Sequence, residues 1–339
     1  MLTRDEVRAA IRFQDPPRPP RAFTKWWGEG LGEQYGEELH RFDKYEEDVV
    51  VVGFPQPWMS PRPDGFWWHV PQIDRRFTSY DSNAFLPDWE YLPDLLAELP
   101  NTDAPGLFDE AKRIAEQAHA EGKYVLIHHW SLMYELIWQF RGMQELLIDY
   151  YEYPEEVHAL HRAVLDTEIK LLKRAFEEVK PDGYMISDDL GTQTALMMSP
   201  AMFREFIKPA YEKIYGYYKT HGVELIVHHS DSYAATLVPD MIDMGIDIWQ
   251  GVMTSNNIPE LIKQYGGKIS FMGGVDSATI DYPGWTVADV EREVDRACRE
   301  CGKHYFIPGA SQGLAVSTFP GVYEETDRQI DLATARYFK

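Results

Sequence analysis

The sequence predicts an α/β fold, a TIM (β/α)8 barrel with an N-terminal helical extension and a small hairpin insertion. Three observations carry this expectation. Short apolar runs alternate with helix-length amphipathic stretches through most of the chain. Each run ends in a polar cluster. The length of 339 residues suits one such barrel with insertions. The clusters weigh most. Val223-Glu224-Leu225-Ile226-Val227 runs into His228-His229-Ser230-Asp231, and Tyr124-Val125-Leu126-Ile127 into His128-His129. Tyr184-Met185-Ile186-Ser187 is followed by Asp188-Asp189, Phe271 by Gly273-Gly274-Val275-Asp276, and Ile307 by Pro308-Gly309-Ala310-Ser311. Parallel α/β folds gather their chemistry at strand C-termini, so one reactive rim, and an enzyme, are expected.

Taken in order, residues 1–20 read as a helix over 4–13 and a Pro-rich lead-in, because Pro16, Pro17, Pro19 and Pro20 break the helix. A first strand is expected at 21–26. A second follows at 48–54, where four consecutive valines suit a strand buried on both faces. Residues 55–100 read as an insertion over the barrel mouth, with a hairpin formed by 66–70 and 75–80. Regular alternation then begins: helix 106–121, strand 123–128, two or three helices between 132 and 179, and strand 183–187. Ser199-Pro200 signals a helix start and Gly222 its end. After it come strand 223–227, helix 233–244, strand 246–249, helix 258–265, strand 268–271, helix 286–300, strand 304–307 and helix 321–337. The whole of 1–339 reads as a single domain. An open doubly wound sheet is the alternative, but no G-x-G-x-x-G follows a strand, and neither a G-x-S-x-G elbow nor a Walker loop is present.

A net charge of −22 disfavours nucleic acid and anionic membranes as partners, since both need a cationic surface. No apolar run approaches the roughly 20 residues of a membrane span, and Met1-Leu2-Thr3-Arg4-Asp5-Glu6 is not a signal region, so a cytoplasmic location is the default expectation. Cys298 and Cys301 form a C-x-x-C. Val287, Val290, Val294 and Cys298 keep helical spacing, which makes Cys298 a core residue and not half of a redox or zinc site.

The segment Ser187-Asp188-Asp189-Leu190-Gly191-Thr192-Gln193, with Met198-Ser199-Pro200-Ala201-Met202-Phe203-Arg204-Glu205-Phe206-Ile207-Lys208-Pro209, resembles the central signature of the uroporphyrinogen decarboxylase and corrinoid methyltransferase superfamily. Residues 228–231, 271–276 and 305–311 resemble its later strand ends. The resemblance implies a TIM barrel with its site at the C-terminal mouth. Decarboxylases of the superfamily carry an R-Q-A-G-R-like pattern after the first strand and an F-S-D-I-L-like stretch after the second. Here those places read Lys25-Trp26-Trp27-Gly28-Glu29 and Gly53-Phe54-Pro55-Gln56-Pro57. A glutamate in place of a carboxylate-binding arginine disfavours a polycarboxylate substrate. The methyltransferase branch holds zinc with an H-x-C pattern and a later Cys. His229-Ser230-Asp231 occupies the first position, and Ala310 or Ser311 the second.

His229 and Asp231 are therefore the expected zinc ligands, with His228, Glu135, Asp188 or Asp189 available as a third. Asp188, Asp189 and His229 are the expected catalytic residues. Trp26, Trp67, His129, Trp130, Gln250, Asp276 and Ser311 are expected to contact substrate. His228 is expected to point away from the mouth, and only one of His128 and His129 to reach it. The resemblance implies a methyltransferase that moves a methyl group from a small methylated donor, such as an aryl methyl ether, to the cobalt of a corrinoid carried by a partner protein. Decarboxylation of a tetrapyrrole or pyrrole acid, and a non-catalytic ligand-binding barrel, are the alternatives.

Overall fold

The computed structural model describes residues 2–11, 48–55, 60–62, 65–70, 75–76, 86–97, 99–130, 132–311 and 318–338, with the backbone alone for 10–11 and 60–76. Ten strands are found among them. β1 (Val49–Gly53) is followed by β2 (Ser60–Arg62), β3 (Gly65–Val70) and β4 (Arg75–Arg76). Then come β5 (Tyr124–His129), β6 (Gly183–Ser187), β7 (Leu225–His229), β8 (Ile248–Val252), β9 (Ser270–Val275) and β10 (Phe306–Ala310). β2, β3 and β4 pair antiparallel as a small separate sheet, which enlarges the expected hairpin by a strand. The other seven form one parallel sheet in the order β1-β5-β6-β7-β8-β9-β10. Sequential order with helical crossovers is TIM-type topology. The strand expected at 21–26 lies outside the described residues.

The helices used below are α1 (Arg4–Ile11), α2 (Asp109–Ala120), α3 (Met133–Arg141), α4 (Met143–Glu152), α5 (Pro154–Glu178), α6 (Lys208–Thr220), α7 (Ile258–Tyr265), α8 (Val287–Cys301) and α9 (Val322–Tyr337). Their boundary chemistry follows the sequence. Ser199 Oγ accepts from the Met202 N–H, and Thr286 and Asp289 form a capping box at the start of α8. Most strands lie one or two residues later than expected. At β7 the reason is visible: Val223 N–H still bonds the Tyr218 carbonyl at the end of α6, so the ladder starts at Leu225 and runs on to His229. The helix expected at 233–244 is corrected to a 3-10 turn, Ala235–Leu237, followed by Val238–Asp243. There Asn256 Oδ1 accepts from the Ala234 and Ala235 N–H groups and starts the turn late. Cys298 and Cys301 are buried in α8 with free thiols pushed up to about 12 by burial, as a core role requires.

The sheet separates two cores. Its outer face packs against the helices through Val125, Ile127, Tyr184, Ile186, Ile226, Trp249 and Phe271. Its inner face gathers Val49, Tyr124, Leu126, Met185, Leu225, Val227, Ile248 and Met272 into one cluster, which requires the sheet to curl. Leu2, just ahead of α1, and Val7 on it complete that cluster, so the N-terminal segment closes the lower end. Carboxylates at the strand starts fix it there. Leu2 N–H donates to Asp48, Arg8 Nε to Glu224 at 2.9 Å, and Arg4 to Asp182. Asp182 also accepts from Val125 N–H at 2.9 Å and pairs with His119 on α2 at 3.2 Å.

Two predictions follow from this packing. Asp182→Ala removes the acceptor of the Val125 N–H and of Arg4 and should cost about 2 kcal/mol in urea unfolding, while ligand binding at the opposite end is unchanged. The second concerns acid. Burial holds His128, His129, His161 and His228 at about 3, so each stays neutral in the folded protein yet takes a proton near 6.5 when unfolded. Their stabilisation is complete above pH 6.5 and is lost as pH falls. Asp188, raised to about 7, and Asp231, raised to about 8, act in the opposite sense and offset two of the four protons. Unfolding between pH 6 and pH 4 should therefore take up about two protons, a loss of roughly 2.7 kcal/mol per pH unit in urea melts across that range. A profile that is flat or rises toward pH 4 would contradict it.

Candidate active site

The upper ends of β5 to β8 place the site. Side chains alternate across a strand, and the apolar inner row fixes the phase. With Leu126, Met185, Val227 and Ile248 facing inward, so do His128, Ser187, His229 and Gln250. These four form a polar row directly above the apolar interior. His128 Nε2 and Ser187 Oγ lie 2.9 Å apart, and His229 Nδ1 is hydrogen bonded to Gln250 Oε1. The Trp130 ring meets His128 edge-on, with centroids 5.8 Å apart.

Two residues further along, the strand ends bring Asp189 and Asp231 to His229. Ligand atoms of the three lie within 4.8 Å of one another, and all three residues are half-buried. Asp189 Oδ1 accepts from the Asp231 N–H at 3.0 Å, which fixes the two turns against each other. Burial and the neighbouring Asp189 carboxylate push Asp231 up to about 8. Two carboxylates this close are stable only with a proton or a cation between them. One imidazole nitrogen and two carboxylate oxygens are a donor set that zinc accepts, and the absence of sulfur makes it a hard, open site. The third ligand available is thus Asp189, while Glu135 directs its backbone N–H to Asp188.

Several expected site residues lie elsewhere. Asp188 faces the helices. Its fully buried carboxylate accepts from Tyr134 N–H at 2.9 Å, Glu135 N–H at 2.8 Å and the Tyr211 hydroxyl, where it caps α3 and ties it to β6 and α6. Burial pushes it up to about 7 against those three donors. His129 also faces outward, stacked on Phe54 at 4.2 Å, with Nδ1 at 3.2 Å from the Tyr184 hydroxyl and Nε2 at 3.7 Å from Glu168. His128, not His129, therefore stands on the inner face. His228 points away as expected, held by the Tyr215 hydroxyl at 2.7 Å.

Asp276 caps the Ser277–Ile280 turn through Ala278 N–H and accepts from Thr254. Ser311 is buried, with its backbone N–H on the Val275 carbonyl. Trp26 and the Trp67 side chain lie outside the described residues. The sequence reading missed His128 and Ser187 as inward groups and the pairing of Gln250 with His229. The signal for all three was the two-residue phase of the strands. It was hidden because β5 to β8 are apolar on both faces.

No curated protein matches the sequence. Among solved structures, a methyltransferase from Methanosarcina mazei superposes with a TM-score of 0.67 over 100% of both chains at 14% identity, which shows a shared fold. An α-amylase from Geobacillus thermoleovorans reaches 0.42 at 10% identity over 92% of this chain and 74% of its own. A D-psicose 3-epimerase from Clostridium cellulolyticum H10 reaches 0.41 at 11% identity, over 91% and 93%. The family model described as uroporphyrinogen decarboxylase matches residues 112–324, which span β5 to β10 and every residue of the polar row and the Asp189–His229–Asp231 cluster. By that match, over well more than half of its length, the chain belongs to the uroporphyrinogen decarboxylase family.

Proposed function

We propose that this chain is a methyltransferase of the family, moving a methyl group from a small methylated donor to the cobalt of a corrinoid carried by a separate protein. The observation that carries the proposal is the cluster of Asp189, His229 and Asp231, a zinc-type donor set at the upper end of the sheet. The full-length likeness to the Methanosarcina mazei methyltransferase supports the same reading. The closed (β/α)8 barrel, with its missing strand from residues 21–26, is part of the proposal.

The chemistry asked of the site is cleavage of a carbon–heteroatom bond. The electron pair stays on the donor oxygen or nitrogen, and the methyl carbon passes to the corrinoid. An alkoxide, phenolate or amide is a poor leaving group unless an acid engages its heteroatom. His229, Asp189 and Asp231 would hold the ion, which when bound supplies that Lewis acidity. The inner row complements it. His128 and Ser187 offer neutral hydrogen-bonding groups, and burial keeps the His128 ring uncharged at physiological pH. The half-buried Trp130 beside them suits a flat apolar donor such as an aryl methyl ether.

The raised Asp231 favours a second reading. Without a metal the two carboxylates share a proton and can act as a Brønsted acid, the chemistry of a decarboxylase acting on a small pyrrole acid. Metal analysis separates the two. Protein purified without a His-tag and incubated with zinc should hold about one equivalent by plasma mass spectrometry, and His229→Ala less than about a tenth of that. Asp189→Asn and Asp231→Asn should each weaken zinc binding by at least about tenfold. Wild-type protein that stays metal-free after incubation would overturn the zinc mechanism and leave the acid pair. With zinc in place, turnover of methylated donors with cob(I)alamin is the activity to expect. A loaded protein that demethylates no donor class, aryl ethers and amines included, would argue for a non-catalytic barrel.

A further inference from the structure

Gln250, in the inner row, touches the proposed ligand His229 through a side-chain hydrogen bond. From this contact we infer that Gln250 is a positioning residue. Its amide oxygen fixes the His229 ring as the Nδ1–H tautomer, so that Nε2 is the nitrogen that carries the lone pair.

Three observations converge on this assignment. The first is the direction of the bond: a carboxamide oxygen only accepts, so the imidazole nitrogen facing it must carry the proton. The second is register. His229 on β7 and Gln250 on β8 are direct partners in the parallel ladder, so both side chains leave the sheet side by side on its inner face. The backbone itself sets the contact.

The third is the residue after Gln250. Gly251 has φ +83°, and a Cβ built there would stand 3.0 Å from both Nδ1 and Cε1 of His229 and 3.3 Å from Asp231 Cα. A side chain at 251 would strain the backbone and press on the ring and the Asp231 turn together. The ring therefore lies in a slot made by Gln250 on one edge and the Gly251 backbone beneath. Proteins that bind metals through histidine commonly fix the ring nitrogen opposite the metal with a carboxylate or carbonyl acceptor, which sets the tautomer and raises the affinity. Here a side-chain amide does so. A neutral acceptor adds no third negative charge beside Asp189 and Asp231.

The affinity part of this inference rests on the proposed zinc site; the tautomer does not, because it is read on metal-free protein. Long-range 15N–1H correlation spectra of histidine-labelled protein, assigned with His229→Ala, should show the wild-type ring at pH 7 in the Nδ1–H form. Gln250→Leu should convert it to a mixture or to the Nε2–H form and weaken zinc, measured by competition with a chelating dye, by about 10- to 100-fold. Gln250→Glu, which keeps an acceptor in place, should retain the Nδ1–H form and bind zinc at least as tightly as Gln250→Leu does by tenfold or more. A wild-type ring in the Nε2–H form would overturn the inference, as would a Gln250→Leu protein with unchanged tautomer and zinc affinity within twofold of wild type. Should Gln250→Leu fail to fold, the wild-type spectrum and the Gln250→Glu comparison still decide it. If wild-type protein holds no zinc but shows the Nδ1–H ring, the positioning role stands and the metal reading fails.

Discussion

The two-residue period of a parallel strand governs this molecule. At each strand end the sequence offers a pair of polar residues, and the sheet sends one to each face. His128 goes in and His129 out, Asp189 in and Asp188 out, His229 in and His228 out, Gln250 in while Trp249 packs behind. The inner members make the candidate site. The outer members tie the sheet to α3, α5 and α6: Asp188 through two backbone N–H groups and Tyr211, His129 through Glu168, His228 through Tyr215. One set of adjacent residues thus serves both the chemistry and its support, and a change in the support reaches the site through a single peptide unit.

Electrostatics sharpen the division. Burial keeps His128, His129 and His228 neutral, so these three positions carry hydrogen bonds through the sheet without carrying cations. Negative charge is concentrated instead at the two edges. At the lower edge Asp182 and Glu224 are matched by Arg4 and Arg8. At the upper edge Asp189 and Asp231 stand beside the His229 imidazole. The same side-chain type meets guanidinium groups at one end and an imidazole at the other. That contrast distinguishes a structural acid cluster from a site that takes a ligand.

Much of this was legible beforehand. The alternation of strands and helices, the Ser199 and Thr286 helix starts and the nearness of His229 to Asp231 follow from local chemistry that tertiary packing does not override. The phase of each strand was not legible. A strand with valine or isoleucine on both faces carries no alternation to read, so the choice between His128 and His129 required knowing which row meets the interior. The role of Asp188 was hidden for a related reason, since its partners on α3 and α6 are distant in sequence. Gln250 belongs to no motif of its own, and its meaning comes from lying opposite His229 in the ladder.

Helix α1 has a consequence for how the chain is made. Its apolar residues complete an inner cluster whose other members reach as far as Met272, and its arginines find their acids at positions 182 and 224. During synthesis this helix must therefore wait, without its partners, until more than two hundred further residues have followed. Contacts of such long sequence separation slow the search for the native state and expose the waiting surface. The strands from β5 onward can pair with their neighbours as they appear. The lower end can close only by the return of a helix made long before its partners.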